Sequence, residues 1–593
     1  MWQYFSAARF GWAVGIVLIS LVVRFATKLH IQRSKMKGLP GPPHSYIWGH
    51  LRAMDVVLRK QPKNAAPQTF ASFVKQEYGL GDYFYVDVWP AGDPILMIFD
   101  TDIMHEITVK NSLPKHPGKY EGELVRELRA CANLAAEVEK FLQNFGGPGN
   151  LVSSEGAEWK KWRSAFNPGF SANHLMSLVP ILVDECSIFV DTLTKHAKNN
   201  DLFRMERDAT QLTVDIIGRV VLDHKLNSQR APNKLVDAFM MQVRWQEIGI
   251  QFNPIELVDW PVRYVIHKYL NWTMDRYIGT QIDERFATRD RRGKSKAIID
   301  LALEAYMKEV KGTSSGDVDK VTAIDPEFRK AAINNMKTFI FAGHDTTSST
   351  ISYAYYYLSK NPETLACIRK EHDDVFGTDL STVGEQIRQS AHLINKLEYT
   401  LAVTREVLRL QPPASTIRMG QKGFFIHDPV TGEALPTEGF MLWSVDVGLH
   451  RSEKYWQDPH VFRPERHLHG GKEEDGSANF TSNAAWVAFS KGPRNCIGQE
   501  LAIIETKVIL AMTLRAFDFA SAYDELDKLQ GDKSGYPSDA TGIQEQFGDE
   551  AYQIQLGTAK PREGMPMRVK RYLDLGTQDS PSAPITKQIL KAE

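Results

Sequence analysis

Cysteine is scarce in this chain. Four residues, Cys131, Cys186, Cys367 and Cys496, are scattered through 593 positions with no close pair. That spacing excludes a disulfide framework and a clustered zinc site, and it fits isolated thiols in a reducing compartment. An excess of either charge is also missing. Lys+Arg number 71 against 72 Asp+Glu, a formal net charge of −1, so composition gives no support to nucleic-acid binding. The one basic run, Arg289–Lys296, reads as a solvated loop. Internal repeats and long low-complexity tracts are absent. The composition is 43% hydrophobic and 10% aromatic, which is that of a globular chain with a large core.

Long apolar runs are nearly missing too. The exception is Phe10–Val23, "FGWAVGIVLISLVV". It is short of the about 20 residues that cross a bilayer, and a snorkelling Arg24 extends it through Thr27 towards the lower limit. No small-residue cleavage pattern follows. Instead come Lys28, Arg33, Lys35 and Lys37, then "GLPGPP" at Gly38–Pro43. We therefore expect residues 1–37 to be an uncleaved membrane anchor with a basic flank, and residues 38–43 a stiff spacer. The body would face the cytosol from the endoplasmic reticulum membrane, leaving the sequons at Asn271 and Asn479 unused.

No linker interrupts residues 44–575, which read as one large domain, mainly α with a small β region; residues 576–593 read as a loose tail. "DYFYVDV" and "ILMIF", parted by "WPAGDP", predict a β-hairpin. Helical spacing dominates from about Glu155 to Gln411, with breaks near Pro168, Pro254 and Pro326. Ile497, Leu501, Ile504 and Val508 form one stripe of a last long helix. Ser521–Gln555, polar and Gly/Asp-rich, predicts a surface insertion, and "MPMRVKRYL" a final strand.

The stretch Phe489–Gln499, "FSKGPRNCIGQ", sets Cys496 just before that last helix. Amide N–H groups and the helix dipole there stabilise a thiolate. Gly492 and Gly498 permit a positive φ or a close backbone approach. Arg494 could reach an acidic group on whatever the sulfur binds. Together these features describe a thiolate ligand to heme iron.

The stretch resembles the heme-binding loop of the cytochrome P450 superfamily, Phe-x-x-Gly-x-Arg-x-Cys-x-Gly, matched by Phe489, Gly492, Arg494, Cys496 and Gly498. Three further motifs are similar to that family's. "REVLRL" supplies Glu406 and Arg409 at i, i+3, and "FRPERHL" supplies Arg466, with His467 where the family usually has Phe. The resemblance implies a buried Glu–Arg–Arg triad that fixes geometry more than it adds stability. "FIFAGHDTTSST" supplies Ala342, Gly343, Asp345, Thr346 and Thr347. It implies a proton relay through Asp345 and Thr346, with Gly343 leaving room for dioxygen and His344 structural. "GAEWKKWR" supplies Trp159 and Arg163, implied partners of the heme propionates together with Arg418. The match runs from Gly38 to the final strand. The anchor and "GLPGPP" resemble the microsomal eukaryotic branch, and "REVLRLQPPAS" resembles fungal secondary-metabolism members.

The resemblance implies a heme b monooxygenase inserting one oxygen atom from O2 into a lipophilic substrate. The 97 residues after Cys496 leave no room for flavin domains. Electrons from NADPH would therefore arrive through a separate FAD/FMN reductase on the same membrane face, and the enzyme would be a monomer. Two rivals share Cys496. A heme-thiolate isomerase or dehydratase would need no reductase and should lack the acid–alcohol pair. A non-enzymatic electron carrier would need a second ligand, for which His344 is the nearby candidate. Residues 112–150 and 235–260, with Ala414–Ile417, Thr338 and Arg418, are expected to line the substrate pocket; they do not identify the substrate.

Overall fold

The computed structural model describes residues 7–62, 64–90, 92–115, 145–245, 256–288, 297–313, 324–468, 484–530 and 550–572. Most of the two expected pocket segments, Asn479, the basic run Arg289–Lys296 and the C-terminal tail lie outside them.

Nine helices and eight strands suffice to place the site. The helices are α1 (Ala7–Lys35), α2 (Leu51–Arg59), α3 (Gly156–Phe166), α4 (Ala172–Asn199), α5 (Met205–Leu222), α6 (Glu256–Ala287), α7 (Pro326–Lys360), α8 (Glu398–Leu410) and α9 (Gln499–Thr513). The strands are β1 (Tyr83–Val86), β2 (Ile95–Ile98), β3 (Thr416–Met419), β4 (Met441–Ser444), β5 (Phe517–Ser521), β6 (Gln553–Leu556), β7 (Thr558–Pro561) and β8 (Pro566–Arg571).

The long central helix α7 starts where the sequence says it should. Pro326 occupies its first turn and the Asp325 carboxylate accepts the Phe328 N–H at 2.9 Å, closing the N-terminus. Its faces are buried against α5, α6 and α8, and α4 packs on α5 and α9. This helical layer holds the largest apolar core. β1 and β2 pair antiparallel, Tyr83 opposite Ile98, as the alternating hairpin pattern predicts. β2 continues parallel into β4, and β4 antiparallel into β3, giving the order β1-β2-β4-β3. β8 pairs with β5, and β6 with β7, on the other side of the fold.

Three expectations need correction. The last helix begins at Gln499 with Gly498 as its cap, so Ile497 precedes it; Leu501, Ile504 and Val508 do form its buried stripe. The segment 521–555 is not wholly a surface insertion. Tyr523 is buried with its hydroxyl donating to Arg562 O at 2.7 Å, and Ala551, Tyr552 and Gln553 are buried as well. Its aromatic and β-forming ends belong to the core, and only residues 531–549 lie outside the description. Finally, the Pro/Gly stretch is no free-standing spacer. Pro40 O accepts the Tyr85 N–H at 2.8 Å, and Met36 and Leu39 join an apolar cluster with Tyr85, Leu96 and Ile98. Apolar residues interleaved with the prolines found a surface to bury against.

α1 runs without interruption through the apolar segment and the basic flank. Its Val14–Lys35 stretch, with mean hydropathy 1.8, is long and apolar enough to cross a membrane.

Candidate functional site

The Cys496 loop is closed by its own backbone. Cys496 N–H donates to Phe489 O at 2.9 Å and Asn495 N–H to Gly492 O at 3.1 Å. Gly492 has φ +79°, and a Cβ there would fall 2.2 Å from Thr108 O, so the turn demands glycine and presses on the preceding segment. Cys496 reaches the start of α9, where the Gly498 and Gln499 N–H groups bond to its sulfur. Burial pushes the thiol pKa up, while those N–H groups, Arg163 and Lys115 pull it back. The amide donors expected to stabilise a thiolate ligand are thus in place, and burial is what opposes them. Solvent nonetheless touches the side chain. A group both desolvated and accessible opens onto interior space rather than the outer surface.

Cations gather around this sulfur. Arg163, from α3, donates Nη1 to Asn495 O and Nη2 to Asn495 Oδ1, both at 2.9 Å. Arg494 donates to Glu155 Oε2 at 2.8 Å and to Val152 O at 3.2 Å, and its guanidinium lies 4.8 Å from the Trp159 ring centroid. Trp159 thus supports Arg494 as well as facing the site. Arg418, on β3, is buried, and Nη1 donates to the adjacent Ile417 O at 2.9 Å; among the described residues Nε and Nη2 have no partner. Burial first, then Arg494, lowers its pKa to about 10.

Lys115 is a residue the sequence reading missed. Its pKa is lowered to about 7 by burial and by Arg418 and Arg494, and raised partly by Glu155 and Cys496. Nothing in "SLPKHP" distinguishes it; only the fold brings it to Arg418 and Arg494. Among the described residues, Arg494 and Arg418 lie beside one carboxylate, Glu155, with Lys115 close to half-charged at pH 7 next to them and Arg163 beside the sulfur. Asp446, the other nearby acid, has its pKa raised to about 8 by burial and is neutral at pH 7. Buried cations without enough anions are costly. This donor set fits a ligand carrying two carboxylates and a metal for the sulfur, which is the chemistry of iron protoporphyrin.

The Glu406 cluster differs. Arg409 donates to both carboxylate oxygens of Glu406 at 2.8 Å, Arg466 Nε to Oε1 at 3.2 Å, and His467 Nε2 lies 2.9 Å from Oε2. All are buried. The remaining Arg409 N–H groups reach His450 O, Pro459 O and Val461 O. The structure brings the expected triad together and makes His467, where Phe was usual, its fourth member. Arg409 and these contacts hold the Glu406 carboxyl far below its ordinary pKa, against the opposing effect of burial.

On α7 the expected roles shift by one residue. A Cβ on Gly343 would come within 2.9 Å of Ile217 Cδ1, so this glycine lets α7 approach α5; it does not leave space for a ligand. Ala342 is the residue left exposed, and the Thr346 hydroxyl donates to its carbonyl at 2.8 Å. Thr338, Thr350 and Ser352 bond back to the preceding turn in the same way, and the helix stays continuous through them. Asp345 is buried with Oδ1 2.8 Å from Lys560 Nζ and Oδ2 accepting Thr558 N–H at 2.8 Å. Lys560 also contacts Glu206. Against burial, Lys560 and His344 hold the Asp345 pKa below the usual range. His344 is buried, its Nδ1 2.6 Å from Ile340 O and its ring against Phe239 and Phe341. Thr338 packs under the 145–151 segment, its hydroxyl bonded to Asn334 O.

Known proteins agree with this arrangement. The family model for cytochrome P450 matches residues 128–540. The cytochrome P450 monooxygenase polC of Polytolypa hystricis is 36% identical over 565 residues, covering 94% of this chain and 95% of the relative. The cytochrome P450 monooxygenase acrF of Aspergillus aculeatus is 37% identical over 527 residues, covering 86% of this chain and 99% of the relative. At lower identity, 25% over 535 residues, rabbit cytochrome P450 4A7 covers 86% and 91%. With the cysteine loop, the buried Glu–Arg cluster and the long central helix in one frame, this chain belongs to the cytochrome P450 family and is a monooxygenase.

Proposed function

We propose that this enzyme oxidises a lipophilic small molecule, by hydroxylation or epoxidation, in fungal secondary metabolism. Its electrons come from NADPH through a separate FAD/FMN reductase, with α1 anchoring it in the endoplasmic reticulum membrane and the body facing the cytosol. The observation that carries the reading is the gathering of cations beside Cys496, with Arg418 left without an acceptor on two nitrogens among the described residues.

Heme b would be held by the Cys496 sulfur and would supply the dioxygen-activating chemistry when bound. Lys115, Arg418, Arg494 and Arg163 would receive its carboxylates, and Trp159 keeps Arg494 aimed. Phe489, Gly492 and Gly498 shape the loop so that amide N–H groups point at the sulfur. Thr346 holds a proton at its hydroxyl, bonded to Ala342 O. Asp345, kept ionised by Lys560, accepts protons delivered from the Glu206–Lys560 side and passes them towards Thr346.

Reconstitution with a fungal NADPH reductase tests this. NADPH- and O2-dependent conversion of a lipophilic substrate, with label from 18O2 in the product, is the expected result. Turnover of a substrate without NADPH would instead establish the isomerase or dehydratase reading.

A further inference from the structure

Tyrosine is concentrated near the C-terminal end of α7, where the stretch Ser352–Leu358 carries Tyr353, Tyr355, Tyr356 and Tyr357. Thr346, Tyr353 and Tyr357 fall at i, i+7 and i+11, on one stripe of the helix. At about 1.5 Å per residue, Tyr353 stands about 10 Å along the axis from Thr346.

The rings continue that line outwards. Tyr353 and Tyr357 have centroids 6.4 Å apart, Tyr357 and Tyr356 5.4 Å, and Tyr356 and Tyr523 6.5 Å. These are ordinary spacings for packed aromatic pairs. Tyr353 is fully buried. Lys360, beside Tyr356 at the helix end, is half exposed.

The hydroxyls of this group end on different partners. Tyr353 donates to Ala551 O at 2.8 Å and Tyr523 to Arg562 O at 2.7 Å, and a peptide carbonyl is a poor base. Tyr357 accepts from Gln411 Nε2 at 3.0 Å, with the cationic Arg451 beside it. Tyr356 differs. Its hydroxyl donates to Glu550 Oε1 at 2.7 Å, and Lys360 Nζ meets the same oxygen at 2.8 Å. Burial, then Glu550, pushes the Tyr356 pKa far up, so the phenol rests protonated against a carboxylate. Tyr83 and Tyr399 also donate to carboxylates, those of Asp428 and Glu465, but among the described residues neither ring pairs with another aromatic ring.

A phenol that loses an electron becomes a strong acid, so it is oxidised easily only where a base takes its proton in the same step. Among the described tyrosines, Tyr356 alone joins such a base to a line of rings leading back towards Thr346.

We propose that Tyr353, Tyr357 and Tyr356 form a one-electron relay that discharges the heme when an oxidising equivalent on it meets no substrate. One electron passes from Tyr356, by way of the Tyr357 and Tyr353 rings, to the oxidised heme, which is reduced by one unit. The phenolic proton moves to the Glu550 carboxylate, leaving a neutral phenoxyl radical at Tyr356. A soluble one-electron reductant such as ascorbate returns the electron, and Glu550 returns the proton. The relay rests on the proposed seating of heme at Cys496 and adds a route by which that site survives oxidant.

The test uses the full-length holoenzyme without substrate, its heme content and carbon monoxide spectrum recorded first. A chain that binds no heme would remove the heme reading, and the relay with it. Hydrogen peroxide is then added and the sample freeze-quenched for electron paramagnetic resonance. A tyrosyl signal is expected, and a ring-fluorinated tyrosine placed at position 356 should add fluorine splitting to it. Tyr356→Phe should cut the signal severalfold and speed peroxide bleaching of the heme severalfold, with heme content unchanged. Tyr355, whose ring meets Phe519 and whose hydroxyl pairs with Thr513, is the reference, and Tyr355→Phe should match the wild type. No tyrosyl signal from heme-loaded protein, a signal without fluorine splitting, a Tyr356→Phe signal equal to the wild type, or an equal loss in Tyr355→Phe would each overturn the proposal.

Discussion

Two of the buried charge clusters in this fold are balanced in opposite ways. Around Glu406, one carboxylate is met by Arg409, Arg466 and His467, and the spare guanidinium hydrogens find backbone carbonyls. Around Cys496, Arg494 pairs with Glu155, Lys115 and Arg418 lie beside the same carboxylate, and Arg418 Nε and Nη2 meet no acceptor among the described residues. The first cluster is closed among the described residues, so its work is to fix geometry. The second leaves donors for an anionic ligand. Unpaired nitrogens alone do not mark a binding site, since Arg515 keeps two as well; their grouping with other cations beside Cys496 does.

The sharpest way to break this comparison is to remove one cation from each cluster. Arg409→Leu strands the buried Glu406 carboxylate and should cost about 3–5 kcal/mol, giving aggregated or heme-free protein. Normal heme content and an unchanged urea midpoint would show the cluster to be dispensable. Arg418→Leu should do the reverse to the apoprotein. Removing a buried cation with unpaired nitrogens should leave urea stability equal or raise it by about 1–3 kcal/mol, while hemin titration shows weakened binding. A destabilised apoprotein with unaltered hemin affinity would put Arg418 in the closed class.

Acid sharpens the contrast further. His50, His372 and His450 are buried with pKa values lowered from 6.5 to about 4, 3 and 3, each chiefly by desolvation. Their folded pKa lies below the unfolded one, so the unfolded chain binds more protons between the two values. Stability is thus full above about pH 6.5 and falls below it, by up to about 1.4 kcal/mol per histidine per pH unit. Glu406, held far below the ordinary carboxylate range, should not contribute until much lower pH. Urea midpoints at pH 7.5, 6.5 and 5.5 should therefore be level at first and then drop. The last contrast is at Lys560. Lys560→Met strands the buried Asp345 carboxylate and should lower the urea midpoint; in the protein that folds and takes up heme it should raise peroxide release per NADPH consumed, and unchanged coupling would detach Lys560 and Asp345 from proton delivery.

Sequence alone disclosed the class of fold and most of the site because the chemistry needs rare residues at fixed local spacing. Phe489 to Gly498, Glu406 with Arg409, and Asp345 with Thr346 each lie within a single turn or helix. What it missed lies across the fold. Lys115 and Glu155 join Arg494 only through tertiary packing, and Lys560 reaches Asp345 from a strand more than 200 positions away. Gly343 was misread for the same reason: its missing side chain answers Ile217 on another helix, which no local pattern records. The Pro/Gly stretch looked like a spacer because proline and glycine are punctuation in sequence, whereas Met36 and Leu39 beside it supply the burial that fixes it.

The central claim is that Cys496 presents its sulfur to heme iron within a cation cradle that grips the porphyrin carboxylates. The carbon monoxide difference spectrum of Cys496→Ser, recorded beside hemin titration, tests it most directly. The account predicts that the variant still takes up hemin, because Lys115, Arg163, Arg418 and Arg494 remain, but loses the thiolate-type band that the wild type shows. A thiolate-type band surviving in Cys496→Ser, or a wild type that binds no hemin, would contradict it.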